Sequence, residues 1–177
     1  CVVYINARWR FIHLHLSTIA LLCWTPLLII LYPVPSNTLP MIFRIFREVQ
    51  FDASHRLLHY HGKCNRLHGH RWKVEVWMEG QADERTGIVV DFNTIKEVIC
   101  GFDHQVILNS EDPMADAIRT FHPVITTQGD PTSENLASLC AAMIREESTR
   151  QGIDARVLRV RVWESPACYA EVTYDGE

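Results

Sequence analysis

The segment Gly62–Trp72, GKCNRLHGHRW, sets Cys64 four residues before His68, and His68 two residues before His70. Imidazoles and thiols bind metals and carry protons, and a thiolate is also a nucleophile. On an extended strand, residues two apart project to one face, so His68 and His70 point the same way, with Gly69 leaving room between them. Upstream, FDASH ends in His55. A hairpin joining the two segments brings a third imidazole to the same end. Three neutral nitrogen donors suit zinc, and no fourth protein ligand stands out beside them. Three protein ligands with an open corner mark a catalytic site rather than a structural one. The bland alternative is a polar strand end that happens to carry histidine, and the HxH pair alone does not exceed it. Cys64 keeps four readings from its residues: ligand, nucleophile, base or inert thiol. Lys63 and Arg66 beside it favour the thiolate.

Two further places could carry chemistry. FDH puts Asp103 next to His104, and an acidic group that orients an imidazole is a recurrent acid–base device. Glu164 in VWESP can accept two parallel hydrogen bonds from an amino-heterocycle, or simply end a strand in water. His59 and His61 are read as surface residues, His122 as part of a long loop, and His13 and His15 fall in an N-terminal extension.

The elements that position these residues follow from periodicity. Met41–His55 alternates, with Ile45, Arg47, Val49 and Phe51 on one side and Phe46, Glu48 and Gln50 on the other. Arg71–Gly80 alternates likewise, with Trp72, Val74, Val76 and Met78 opposite Lys73, Glu75, Trp77 and Glu79. Gly87 marks a turn. A helix then follows over DFNTIKEVIC, with Asp91 or Asn93 as cap and Phe92, Ile95, Val98 and Ile99 as its apolar face. Asn109–Pro131 reads as a long loop containing a short strand at HPVITT. PTSENLASLCAAMIREESTRQG is the clearest helix: Thr132 or Ser133 caps it, and Gly152 ends it. Two strands close the chain, ARVLRVRVWES and CYAEVTY. The order ββααββ predicts an α+β fold with an antiparallel sheet rather than repeated βαβ units.

Composition sets the outer bounds. The 177 residues are 47% hydrophobic and 21% charged, with a net charge of −4, which gives no basic footprint for nucleic acid. Residues 1–40 contain only Arg8 and Arg10 as charged side chains, and Ile19–Tyr32 is nearly all apolar. That run is short for a membrane span and contains Pro26. The reading taken is an apolar extension at 1–40 that is not part of the native fold, followed by a single domain at 41–177; a membrane or export segment is the alternative. Six scattered cysteines without a CxxC pair suit a reduced, cytoplasmic protein better than a disulfide framework.

FDASHRL, KCNRLHGHRWKVEV, GIVVDF, FDH…LN, PTSENLA and WESP…YAEV occur in this order, and together they resemble the 6-pyruvoyl-tetrahydropterin synthase family. Within it they look most like the bacterial 6-carboxy-tetrahydropterin synthases of queuosine biosynthesis. The resemblance spans roughly Met41–Glu177. It implies the tunnelling fold, with a four-stranded antiparallel sheet and two helices on one face, and homohexamers of two trimers with active sites at subunit interfaces. It also implies zinc held by His55, His68 and His70, with Cys64 as base or proton shuttle and Asp103 and His104 as a second acid–base pair. Glu164 is implied to grip the pterin's amino-pyrimidine edge, with Thr132 and Ser133 nearby. Glu134 supports the helix start or the pocket. The implied reaction converts 7,8-dihydroneopterin triphosphate to 6-carboxy-5,6,7,8-tetrahydropterin, triphosphate and acetaldehyde. A pyruvoyl product that keeps every carbon, or a non-catalytic zinc protein of the same fold, remains the alternative. Lys63, Arg66 and Arg71 are candidates for the triphosphate. Two departures stand out: Phe102 where the family has leucine before Asp-His, and a longer Ser110–Pro131 segment.

Overall fold

The structure, a computed structural model, describes residues 41–174. The expectations for residues 1–40, including the apolar Ile19–Tyr32 run, lie outside them. Strands β1 (Phe43–His55) and β2 (His68–Gly80) form the long hairpin that the two alternating patterns predict. Their register pairs Phe51 with Trp72, Ala53 with His70 and His55 with His68. One face of the hairpin, Val49, Phe51, Trp72, Val74, Val76 and Met78, is buried; of the residues between them Gln50 is exposed, Lys73 and Trp77 are half-buried and Glu75 is buried. Strand β5 (Ala155–Ser165) pairs antiparallel with β2, and β6 (Cys168–Thr173) antiparallel with β5.

Helix α1 (Phe92–Cys100) packs on β1, and α3 (Ser133–Arg150) packs on β5, β6 and α1. Asp91 caps α1 by accepting from Asn93 N, and Thr132 caps α3 by accepting from Asn135 N, each satisfying an otherwise orphaned N–H. The α1 face is narrower than its periodicity suggests: Ile95 and Ile99 are buried, whereas Phe92 is exposed. On α3, Leu136, Cys140 and Ile144 are buried as expected, joined by Ala137 and Ala141. Gly152, at a left-handed φ of 68°, turns the chain away from α3 toward β5.

The sheet is larger than the expected four strands. Its order is β4-β3-β1-β2-β5-β6. The predicted antiparallel four are its β1-β2-β5-β6 part, and β3 (Val106–Asn109) and β4 (Val124–Thr127) extend it in parallel beyond β1. The sheet is therefore mixed. A third helix, α2 (Pro113–Arg119), fills what reads as loop. Pro113 occupies its first turn, where the missing N–H costs nothing, and Asp112 caps it. The short strand expected at HPVITT is β4, whereas VILN, four residues without alternation, gives no periodic signal, and the sequence predicts no strand there. Among the described residues no helix is long and apolar enough to cross a membrane.

Candidate active site

The loop end of the β1–β2 hairpin, where the strands leave for their connection, gathers the three imidazoles. His55 and His68 face each other across the strands, and His70 shares their side. Ring centroids lie 4.6 Å apart for His55–His68, 4.9 Å for His68–His70 and 5.2 Å for His55–His70. The indole of Trp72, itself fully buried, forms the floor: His55 and His70 both meet it edge-on, at 4.9 and 5.4 Å. Trp72 Nε1 donates to Ala53 O at 3.3 Å, which ties that floor to β1.

Backbone carbonyls set the ring tautomers. His55 Nδ1 donates to Pro131 O at 2.8 Å, and His68 Nδ1 to Arg66 O at 2.7 Å, leaving each Nε2 as a lone-pair donor. A carboxylate completes the group. Glu164 Oε1 lies 3.2 Å from His70 Nε2 and 3.5 Å from His55 Nε2, and one donor atom from each of the four residues falls within 4.8 Å of all the others. Although Glu164 is within ion-pair distance, neither Nε2 makes a hydrogen bond, and both are buried. A lone pair facing a carboxylate repels it unless a proton or a cation lies between. Burial first pushes His55 and His70 below the ordinary 6.5, which disfavours the proton. A divalent cation satisfies all four groups, and three imidazoles with a carboxylate are a donor set that zinc accepts. The residues therefore fit a metal.

The sequence assigns Glu164 to the pterin's edge and shows no obvious fourth donor; the structure sets that carboxylate beside the three imidazoles, as a candidate donor. The signal was present: Glu164 continues the parity of Val160 and Val162, the buried face of β5, and that face of the sheet carries His70 and Trp72. The β2–β5 register, which pairs Lys73 with Trp163, brings it alongside.

Cys64 sits in a one-turn 3-10 helix, Lys63–Asn65, within the β1–β2 connection. It is half-buried and does not belong to the donor group. Leu57 N donates to Cys64 O at 2.8 Å, and Asn65 Nδ2 donates to Leu57 O and Leu58 O, so the thiol's turn is braced on the residues that follow β1.

The Asp103–His104 pair is stitched to β1 just before His55. Asp52 N donates to Asp103 Oδ1 at 2.9 Å, His104 N donates to Asp52 O at 2.7 Å, and Ser54 N donates to Gln105 O at 3.0 Å. The Asp52 amide, then His104, hold the Asp103 carboxyl below the usual carboxylate range. Asp103 Oδ2 lies 3.0 Å from His104 Nδ1, which leaves His104 Nε2 free to face solvent. His104 has φ 58°, a left-handed conformation uncommon for a residue with a side chain and frequent at functional turns. His104 and His70 line one cavity of about 510 Å³. His122, read from sequence as loop surface, lines it too.

Other expected site residues are placed as follows. Thr132 uses its hydroxyl to cap α3, and Ser133 begins that helix; both directly follow Pro131, whose carbonyl orients His55. Arg71 borders the cavity but is engaged by Asp52 through two hydrogen bonds of 3.0 and 2.8 Å. Lys63 and Arg66 are exposed and do not line it.

A sequence profile described as 6-pyruvoyl tetrahydropterin synthase matches residues 44–175. A Rickettsia felis protein named 6-carboxy-5,6,7,8-tetrahydropterin synthase is 33% identical over 134 residues, 71% of this chain and 96% of its own. A Pyrococcus abyssi relative that carries the same name provisionally is 37% identical over 145 residues, 73% of this chain and 89% of its own. The solved 6-pyruvoyl tetrahydropterin synthase of Caenorhabditis elegans shares the fold at a TM-score of 0.54 and 23% identity, over 76% of this chain and 97% of that one. With the profile spanning most of the domain and relatives matched over nearly their whole length, the chain belongs to the 6-pyruvoyl tetrahydropterin synthase family.

Proposed function

We propose that the chain is a zinc-dependent 6-carboxy-5,6,7,8-tetrahydropterin synthase. It takes 7,8-dihydroneopterin triphosphate and one water to 6-carboxy-5,6,7,8-tetrahydropterin, acetaldehyde and triphosphate, a lyase reaction without net redox change. The observation that carries this reading is the pair of buried, unpartnered Nε2 atoms on His55 and His70, which share one focus with His68 and Glu164. His55, His68 and His70 would hold the zinc, with Glu164 as an exchangeable fourth donor, so that one position stays available to substrate. When bound, zinc supplies Lewis acidity toward the hydroxyl oxygens of the substrate side chain.

The chain's own groups move the protons. Cys64, outside the donor group, serves as thiolate base toward the side-chain carbons. His104, with Nδ1 held by Asp103, accepts or returns a proton at Nε2. Thr132 and Ser133 lie at the start of α3 beside the Pro131 carbonyl, where they border the pterin. The carboxy product is favoured over the pyruvoyl product because the relatives at 33% and 37% identity carry the carboxy name, whereas the pyruvoyl-named structure is 23% identical.

We further propose that the product feeds queuosine (7-deazaguanine) biosynthesis in the cytoplasm. Strands β4 and β6 are the sheet edges, and edge-to-edge pairing into a homohexamer would satisfy their free backbone groups. The test is to incubate the zinc-loaded protein with 7,8-dihydroneopterin triphosphate and to measure acetaldehyde together with the mass of the pterin product. Equimolar acetaldehyde and carboxy-tetrahydropterin are expected. A pyruvoyl product without acetaldehyde, or no turnover at all, overturns the reading.

A further inference from the structure

The β1–β2 connection, which carries the thiol, and the β4–α3 turn, which carries the carbonyl that orients His55, are separate in sequence but meet at one side chain. Asp130 Oδ2 accepts from His59 N at 2.8 Å, and its Oδ1 lies 3.3 Å from His59 Nδ1 and accepts from Asn109 Nδ2 at 2.9 Å. The backbone of the same residue is fixed as well: Asp130 O accepts from Thr132 N at 2.8 Å and from Asn135 Nδ2 at 2.7 Å. Its carboxylate is largely buried, at 14% exposure, and Asn109 is fully buried. Pro131, the next residue, has no N–H of its own, so the direction of its carbonyl is set by what anchors its neighbours. On the other side, His59 follows directly on Leu57 and Leu58, whose backbone groups brace Cys64 and Asn65.

We infer that Asp130 is a positioning residue: a single carboxylate clasps the thiol-bearing loop to the turn that aims His55, and so sets the distance between Cys64 and the metal. The inference rests on the metal reading above for one of its two consequences and is independent of it for the other. Without the clasp, the Pro131 carbonyl loses its fixed direction, and His55 loses the hydrogen bond that holds its tautomer. Outer partners of metal-bound histidines are worth about 10- to 100-fold in affinity, and one step further out places the effect near the lower figure. The loop with Cys64 opens more often, which exposes the thiol.

The experiment compares the full chain with Asp130→Asn, Asp130→Ala and, as a surface control, Asp116→Asn on α2. Zinc affinity is measured by competition with a chromophoric chelator, and Cys64 alkylation by peptide mapping of zinc-free protein under native conditions. Circular dichroism confirms folding. The clasp predicts about tenfold weaker zinc binding and severalfold faster Cys64 alkylation in both Asp130 variants, with Asp116→Asn like wild type. Should Asp130→Ala fail to fold, Asn135→Ala, which removes the donor to Asp130 O, is expected to weaken zinc in the same direction. Folded variants that only melt earlier, with zinc affinity and Cys64 alkylation within about twofold of wild type, overturn the clasp and leave Asp130 a stabilising residue. Wild type that takes up no zinc overturns the metal reading instead, and the alkylation rates then decide the clasp by themselves.

Discussion

Two uncharged imidazoles held in the interior make the metal-free protein acid-sensitive in a window that its carboxylates do not share. His55 is 1% exposed, and the His70 side chain 26%. Burial first, and then the other imidazoles, lower both from 6.5, against opposing contributions from the Pro131 carbonyl at His55 and from Glu164 at both. Between the lowered folded values and 6.5, the unfolded chain holds more protons than the folded one. Stability rises with pH wherever that is so. The two rings' contribution is therefore complete above 6.5 and is lost as the pH falls below it. Each proton is worth about 1.4 kcal/mol per pH unit, so two rings set a ceiling of about 2.7 kcal/mol per unit. Because His70 is partly exposed and the unfolded rings fill with protons only gradually below 6.5, the slope is expected to be positive and to stay under that ceiling. The carboxyls with lowered values start from 3.8 or 4.5, so their effect falls at lower pH. Urea unfolding of chelator-treated protein between about pH 5 and pH 8 reads the slope directly. His55→Gln is expected to reduce it to about 1.4 or less, because one titrating ring remains. A wild-type slope near zero just below 6.5 would refute the burial argument, and with it the case that the two Nε2 atoms need a cation.

Three other outcomes follow from the same geometry. Arg56→Met strips the fully buried Asp112 carboxylate of its two guanidinium hydrogen bonds, and a loss of about 3 kcal/mol is expected from urea unfolding at neutral pH; less than about 1 kcal/mol contradicts a buried pair. Glu164→Gln is expected to weaken zinc binding about tenfold in folded protein; unchanged affinity with a raised KM for the pterin returns Glu164 to the amino-pyrimidine edge. Cys64→Ala is expected to keep one zinc per chain, measured by metal analysis, while product formation falls about a hundredfold or more; loss of zinc instead makes the thiol a ligand.

What sequence revealed and what it hid divides along a physical line. Period two fixed β1 and β2, and with them the face that carries His68 and His70; the cap and stripe fixed α3. Each of those signals is local. By contrast, β4 was expected as a short strand but not in its parallel place beside β3, and β3, four residues without a period, joins the sheet only because β1 offers an unpaired edge at Ser54 and His55. That pairing is what delivers His104 to the cavity it shares with His70, so the acid–base pair was legible as a pair but not as a neighbour of the imidazoles. Glu164 was legible as a carboxylate for the pterin, whereas its place beside the three imidazoles comes from the β2–β5 register. Asp130 had no local signal at all, since its partners His59 and Asn109 lie 71 and 21 residues away. The histidines are thus written into the pattern of one hairpin, whereas their tautomers, their fourth donor and their distance from the thiol are fixed by contacts that exist only once the chain has closed around them. Substitutions in the hairpin pattern should therefore cost the fold and the metal together. Substitutions at Asp130 or Glu164 should separate the two, leaving a folded protein with a loosened site.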